Sequence, residues 1–270
     1  WTFTQPGDGI LIQTPDYHHF TGATVNTGRK VLENRLVADE KGHYTVDFDD
    51  FREKAKQAKL FFLCSPQNPT GRVWTEEELR RMGEICNEYG VMVVADEIHH
   101  DLIQPGYKHI VYASLGKEFA DNCVVCTSLS KTFNLAGLQA STTVFPCLEM
   151  KKKFDSYWGG MDIHRNNAFS SVAMEAALNE GEEWLEQLKE YLDGNFAYID
   201  AFLKEHLPKA HMVPSEGTYL AWIDFNGYVD GDAEKLEEIM QKKARVALDE
   251  GYIFGDAGRG FERINIATPR

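Results

Sequence analysis

No apolar run in this 270-residue sequence approaches the roughly 20 residues that a membrane-spanning helix needs. No signal-peptide pattern opens it, and no internal repeat or low-complexity tract interrupts it. Basic residues are also short: 28 Lys and Arg stand against 42 Asp and Glu, a formal charge of −14. That balance argues against nucleic acid and against an anionic membrane surface as partners. Cysteine is sparse and odd in number. Cys64, Cys86, Cys123, Cys126 and Cys147 lie mostly inside apolar runs, which excludes a complete disulfide framework and points to reduced thiols in the cytoplasm. Cys123 and Cys126 have the spacing of a redox pair. On a strand, however, residues three apart point to opposite faces, so they read as core rather than as a metal or disulfide site.

What the sequence does have is ordinary globular material, 43% hydrophobic and 26% charged, enough for one large domain or two modest ones. Short apolar runs at 9–13, 22–26, 31–37, 60–64, 91–95, 123–127 and 140–145 read as strands. Several are continuously apolar, as expected of strands buried on both faces. Between 64 and 91 the pattern is helical: Thr75 and Glu78 make a capping box, Leu79, Met82, Cys86 and Tyr89 form an apolar stripe, and Gly90 stops it. The alternation predicts an α/β fold with a mixed, mostly parallel sheet flanked by helices. After residue 150 the texture changes. Helices are expected over 149–157, 167–180, 182–206 and 232–250, with strands over 218–225 and 263–267. This predicts a large domain over 1–183 and a smaller α+β domain over 184–270. The sequence enters a strand almost at once and stops just after another, so it is expected to be part of a longer protein.

Three strand ends carry polar residues that a plain connection does not require. Ser65-Pro66-Gln67-Asn68-Pro69-Thr70-Gly71-Arg72 follows strand 60–64, and two prolines and a glycine hold Asn68 in an extended turn. An Asn-Pro turn with no function is the competing reading. Asp96-Glu97-Ile98-His99 follows strand 91–95, where an acid is either a helix cap or a charge aimed into a cleft. Ser128-Leu129-Ser130-Lys131-Thr132-Phe133-Asn134 follows strand 123–127. An amine beside a strand end starts a surface helix, or it is desolvated next to a cofactor and becomes a nucleophile able to form a Schiff base.

N-P-T-G at 68–71, D-E-I-H at 96–99, S-L-S-K-T-F-N-L-A-G-L at 128–138, E-G-T-Y-L-A-W at 216–222 and R-I-N-I-A at 263–267 occur in that order. Together they resemble the fold-type I pyridoxal-phosphate enzymes of the aspartate aminotransferase superfamily, across the whole sequence. The likeness is closer to the carbon–sulfur lyase branch, the cystathionine β-lyases of the MalY/PatB type, on D-E-I-H, P-G-Y-K-H at 105–109 and S-K-T-F-N-L-A-G-L-Q.

The resemblance implies a pyridoxal-phosphate transferase-like fold, with pyridoxal 5'-phosphate as cofactor. It implies that Lys131 holds the cofactor covalently and moves the Cα proton, and that Asp96 pairs with the ring nitrogen. Asn68 would bond the ring's 3-oxygen. His99 stands where many aminotransferases have a tyrosine with the same task. Tyr17 would stack on the ring, Ser128 and Ser130 would bind phosphate, and Arg263 would grip the substrate α-carboxylate. A core Tyr17 and an ordinary ion pair for Arg263 are the competing readings.

The reaction implied is β-elimination from a sulfur-containing amino acid, giving thiol, pyruvate and ammonia. No metal is implied, and a small-molecule substrate and a homodimer are. An aminotransferase is the alternative, and a regulatory or binding protein on the same fold is the alternative from another class. Two departures bear on this. Gln139 stands eight residues after the lysine, where aminotransferases carry an arginine for the phosphate, which favours the lyase branch. The amino-terminal glycine turn that cups the phosphate, and the residues lent across the dimer, have no counterpart in the sequence, so this chain alone is expected to bind the cofactor weakly or not at all and to be inactive by itself.

Overall fold

The computed structural model describes residues 1–163 and 166–270. Its larger sheet is built from β1 (Gly9–Thr14), β2 (Lys30–Arg35), β5 (Ala58–Cys64), β6 (Met92–Asp96), β7 (Cys123–Thr127) and β8 (Thr142–Val144). They lie side by side in the order β2-β1-β5-β6-β7-β8, all pairings parallel except the antiparallel β7–β8 edge. All six residues of β1 are buried, as a parallel strand covered on both faces requires. The hairpin β3 (Val37–Ala38) and β4 (Tyr44–Thr45) pairs on its own.

Helices α1 (His19–Asn26), α2 (Phe48–Ala55), α3 (Glu76–Tyr89), α4 (Lys117–Ala120) and α5 (Leu129–Thr132) fill the connections. In α3 both halves of the capping box form: Glu78 N–H donates to Thr75 Oγ1 at 3.2 Å and Thr75 N–H to Glu78 Oε2 at 2.9 Å. Gly90 closes the helix at φ 66°, a left-handed geometry that costs glycine little. Leu79, Met82, Ile85 and Cys86 lie on its buried face.

Beyond residue 147 come α6 (Leu148–Gly160), α7 (Ser170–Glu180), the 25-residue α8 (Glu182–His206), β9 (His211–Met212), β10 (Leu220–Asp224), α9 (Asn226–Val229), α10 (Ala233–Glu238), β11 (Asp249–Glu250) and β12 (Phe261–Asn265). The four strands form a second, antiparallel sheet, β11-β12-β10-β9. One hydrophobic cluster joins the two sheets: Trp222 and Phe254 pack in the same core as Phe51, Phe61 and Trp74. Trp222 stacks on Phe261 at 5.0 Å and meets Phe254 edge-on at 5.4 Å.

Two expected elements differ. Residues 22–26 are helical, within α1, because β1 and β2 pair in parallel and a parallel pair needs a crossover between them. The expected helix over 232–250 ends as α10 at Glu238 and continues as a π-turn over Ile239–Ala244, closed by Arg245 at φ 58°. Asp249 and Glu250 then pair antiparallel with Arg263 and Glu262, which a helix through 250 would forbid.

Candidate active site

Because β1, β5, β6 and β7 run parallel, their carboxyl ends open on one side of the sheet, where ligands of such folds sit. The segment after β1 brings Tyr17, the loop after β5 brings Asn68, β6 ends on Asp96 with His99 three residues on, and α5 after β7 carries Lys131. From the second sheet, β12 adds Arg263. All six line one cavity of about 290 Å³, together with His18, His19, Tyr219 and Asp249. An apolar cavity of about 600 Å³ near Phe3, Phe62 and Trp158 is larger, but it gathers no comparable set of carboxylate, amine and guanidinium groups.

The electrostatics of the cavity are set by burial. Asp96 is pushed up to about 6, chiefly by desolvation, against the Ile98 N–H that donates to its Oδ1 at 3.2 Å and the nearby charge of Lys131. Its side chain keeps some access to the cavity, so the carboxylate is enclosed by protein yet open to a ligand. His99 is buried and held down at about 3 by desolvation first and the positive charges of Lys131 and Arg263 next. It is a neutral imidazole at ordinary pH, and its Nδ1 has no hydrogen-bond partner among the described residues. Tyr219 meets it edge-on at 5.6 Å. Burial, and then the Asp96 charge, raises the Tyr17 phenol, whose ring stacks on His19 at 4.7 Å. Among the described residues, Lys131 makes no hydrogen bond or ion pair.

Arg263 is gripped from two sides. Nη1 donates to Asn68 Oδ1 at 2.8 Å, and Nε and Nη2 donate to Asp249 Oδ2 at 3.0 and 2.6 Å. Three of the five guanidinium N–H groups are thereby used, leaving one on each terminal nitrogen for a ligand. The Phe254 ring lies 4.6 Å from its Cζ. Asn68 accepts through Oδ1, which leaves its amide N–H groups available to donate.

Ser128 and Ser130 stand outside this lining. Ser128 caps α5, accepting from Ser130 N–H at 3.0 Å, while its hydroxyl lies 2.7 Å from the Ala140 carbonyl and from Ser130 Oγ. Sequence reasoning missed Asp249, His18 and His19. Asp249 was hidden inside the expected helix over 232–250. The histidines directly follow Tyr17 and were open to inspection. Also missed was the role of Arg72 and Glu216, both present in quoted motifs. Arg72 Nη1 donates to both Glu216 oxygens at 2.8 and 2.6 Å, and Nη2 to both Glu78 oxygens at 2.7 and 2.8 Å.

Residues 2–270 match the family model described as aminotransferase class I and II. The chain belongs to that family. Among similar family members, cystathionine beta-lyase PatB of Bacillus subtilis (strain 168) is 43% identical over 265 residues, 97% of this chain and 68% of that protein. A putative aminotransferase from Clostridium difficile 630, solved with pyridoxal phosphate bound, superposes with a TM-score of 0.96 at 43% identity, covering 99% of this chain and 69% of that one. The pyridoxal-phosphate-bound C-S lyase of Staphylococcus hominis has a TM-score of 0.91 at 36% identity, with 99% and 69% covered.

The residues present fit such a cofactor. Asp96 is a largely desolvated carboxylate without a cationic hydrogen-bond partner, His99 has an orphaned buried nitrogen, and Lys131 is an unpaired amine on the same cavity. A protonated ring nitrogen, a ring oxygen and an aldehyde would answer these three groups.

Proposed function

We propose that this protein is a pyridoxal-phosphate-dependent carbon–sulfur β-lyase that cleaves cysteine S-conjugates of the cystathionine kind to a thiol, pyruvate and ammonia. The observation that carries the reading is the convergence of Lys131, Asp96, Asn68 and Arg263, from three strand ends and a second sheet, on one cavity. The lyase names of PatB and the Staphylococcus hominis enzyme support elimination over transamination.

Pyridoxal phosphate, when bound, supplies an aldehyde for an amine and a ring that takes up the electron pair released at Cα. Lys131 would hold it in the resting protein. Its amine, once free, would take the Cα proton and later return a proton, as general base and then general acid. Asp96 would pair with the ring nitrogen and favour its protonated form. Asn68 would donate from its amide to the ring oxygen, while its Oδ1 accepts from Arg263. His99, a neutral imidazole, would stand beside the same ring oxygen with its unpartnered Nδ1. Arg263 orients the substrate by its α-carboxylate through the two N–H groups that Asn68 and Asp249 leave free. Tyr17 provides a ring face, and Ser128 with Ser130 would serve the phosphate.

In the same reading, residues 1–183 carry the cofactor and 184–270 form a smaller domain that delivers Arg263. A cytoplasmic homodimer completes it. Its support is that all five cysteines are free thiols and that α7 turns Val172 and Leu178 outward beside Phe169, which is 76% exposed. No helix among the described residues is long and apolar enough to cross a membrane.

The test supplies the cofactor-loaded protein with a cysteine S-conjugate and no keto-acid acceptor. The lyase releases thiol and pyruvate in equal amounts, and Lys131→Ala abolishes both. Turnover only in the presence of a keto acid assigns the site to transamination instead. A protein that binds a partner unchanged by Lys131→Ala and turns over nothing belongs to the regulatory class.

A further inference from the structure

We propose that Asp249 sets the side-chain specificity of this cavity, rejecting substrates whose sulfur substituent carries a net negative charge and admitting those whose substituent is neutral, zwitterionic as in cystathionine, or cationic. The proposal rests on the lyase reading above, and it concerns a residue that none of the sequence motifs marked.

Asp249 enters the site on β11, held there by the antiparallel pairing of Asp249 with Arg263. Oδ2 takes both Nε and Nη2 of the guanidinium, while Oδ1 makes no hydrogen bond among the described residues. The side chain is 44% exposed and lines the cavity. One oxygen is therefore fixed on Arg263 and the other is open to whatever occupies the space.

The charges in the cavity show what that oxygen faces. Lys131 and Asp96 are taken up with the cofactor. Among the described residues that line the cavity Arg263 is the remaining cation, and a bound amino acid brings its own α-carboxylate to it. One guanidinium then faces two carboxylates, and the surplus negative charge belongs to Asp249. The other titratable groups around it do not compensate. His18 and His19 lie on the same wall, and burial holds the His18 imidazole below its usual range. Tyr17 and Tyr219 are phenols held protonated by burial. Glu250 and Glu262, the neighbours on β11 and β12, are carboxyls and supply no positive charge. A second anion on the substrate would stand beside an uncompensated carboxylate in a small, partly desolvated cavity, while an ammonium there would gain a partner.

Asparagine at 249 separates charge from positioning, because its amide oxygen can still accept from Nε and Nη2 while the charge is gone. The experiment compares S-(2-carboxyethyl)- and S-(2-carbamoylethyl)-L-cysteine, isosteric conjugates ending in an anion and a neutral amide, with the shorter S-(2-aminoethyl)-L-cysteine, which ends in a cation. They are assayed at pH 8 with the cofactor-loaded protein, by pyruvate release and, independently, by calorimetric affinity. The wild-type protein is expected to disfavour the carboxyethyl compound by roughly tenfold or more against the carbamoyl compound, and Asp249→Asn to shrink that gap to about twofold. Equal treatment of all three by the wild-type protein, or a gap that survives in Asp249→Asn, overturns the proposal. If no conjugate yields pyruvate, the lyase reading falls, and the order of calorimetric affinities still decides for or against Asp249.

Discussion

Arg72 and Glu216, 144 positions apart, form a bidentate pair at 2.8 and 2.6 Å with both side chains almost fully buried. The pair ties the loop that carries Asn68 to the segment that leads into β10. Glu216 also accepts from Val73 N–H at 2.7 Å and lies 3.0 Å from His43 Nε2. The two sheets that contribute to the cavity are thus joined by a charged clamp as well as by the core around Trp222. Removing one partner strands the other charge in the interior. Arg72→Ala is expected to cost about 3–5 kcal/mol in urea unfolding, whereas Arg72→Met with Glu216→Leu together should cost much less. Equal losses in the single and double variants would show that the clamp is not what matters.

The raised Asp96 titration makes a prediction of definite sign. Its folded value, about 6, lies above the ordinary aspartate value of 3.8, so the folded chain holds the proton longer than the unfolded one. The stability this group contributes is present below pH 4 and is lost as pH rises through 6. A cationic ring nitrogen reverses that preference. Carbon-detected NMR of the cofactor-free protein should therefore place the Asp96 midpoint near 6, and cofactor loading should move it downward. A midpoint at the ordinary aspartate value without cofactor would contradict the desolvation argument.

His99 works in the opposite direction. With a folded value of about 3 against 6.5 when exposed, it is protonated sooner in the unfolded chain. Its contribution to stability is present above pH 6.5 and drains away as pH falls toward 3. Nitrogen NMR should show an imidazole that does not titrate between about pH 5 and 8, and His99→Gln should shift acid unfolding to lower pH. A His99 signal that titrates near 6.5 would mean that the ring is solvated.

The parts of this protein that were legible in its sequence are those that short-range chemistry dictates. Thr75, Glu78 and Gly90 specify the ends of α3 by themselves, and the apolar runs of β5, β6 and β7 could only be covered strands. The loops after them stood out because Asn68, Asp96 and Lys131 are polar groups at strand ends. What could not be read were features set by partners distant in the chain. Residues 22–26 look strand-like in isolation and become helical because Lys30–Arg35 pairs in parallel with β1. Asp249 is helix-compatible until β12 claims it for an antiparallel pair. Ser128 could be recognised as a hydroxyl beside the lysine, but not as one whose 2.7 Å neighbours include the Ala140 carbonyl.

Arg263 gives the sharpest separation of binding from positioning. Its guanidinium reaches Asn68 with one arm and Asp249 with another edge, and only then presents its remaining N–H groups to a ligand. Lysine at 263 would keep the positive charge but lose the planar fork, so it could not satisfy Asn68, Asp249 and a carboxylate at once. Arg263→Lys is expected to lower kcat/KM for a cysteine S-conjugate by roughly 100-fold, about 2–3 kcal/mol, with much of the loss in KM. The matching amine that lacks the α-carboxylate should lose far less, because the contact that was weakened is one it never made. Equal losses for the amino acid and the amine would mean that Arg263 acts through Asn68 and the cofactor side of the site rather than by holding the substrate.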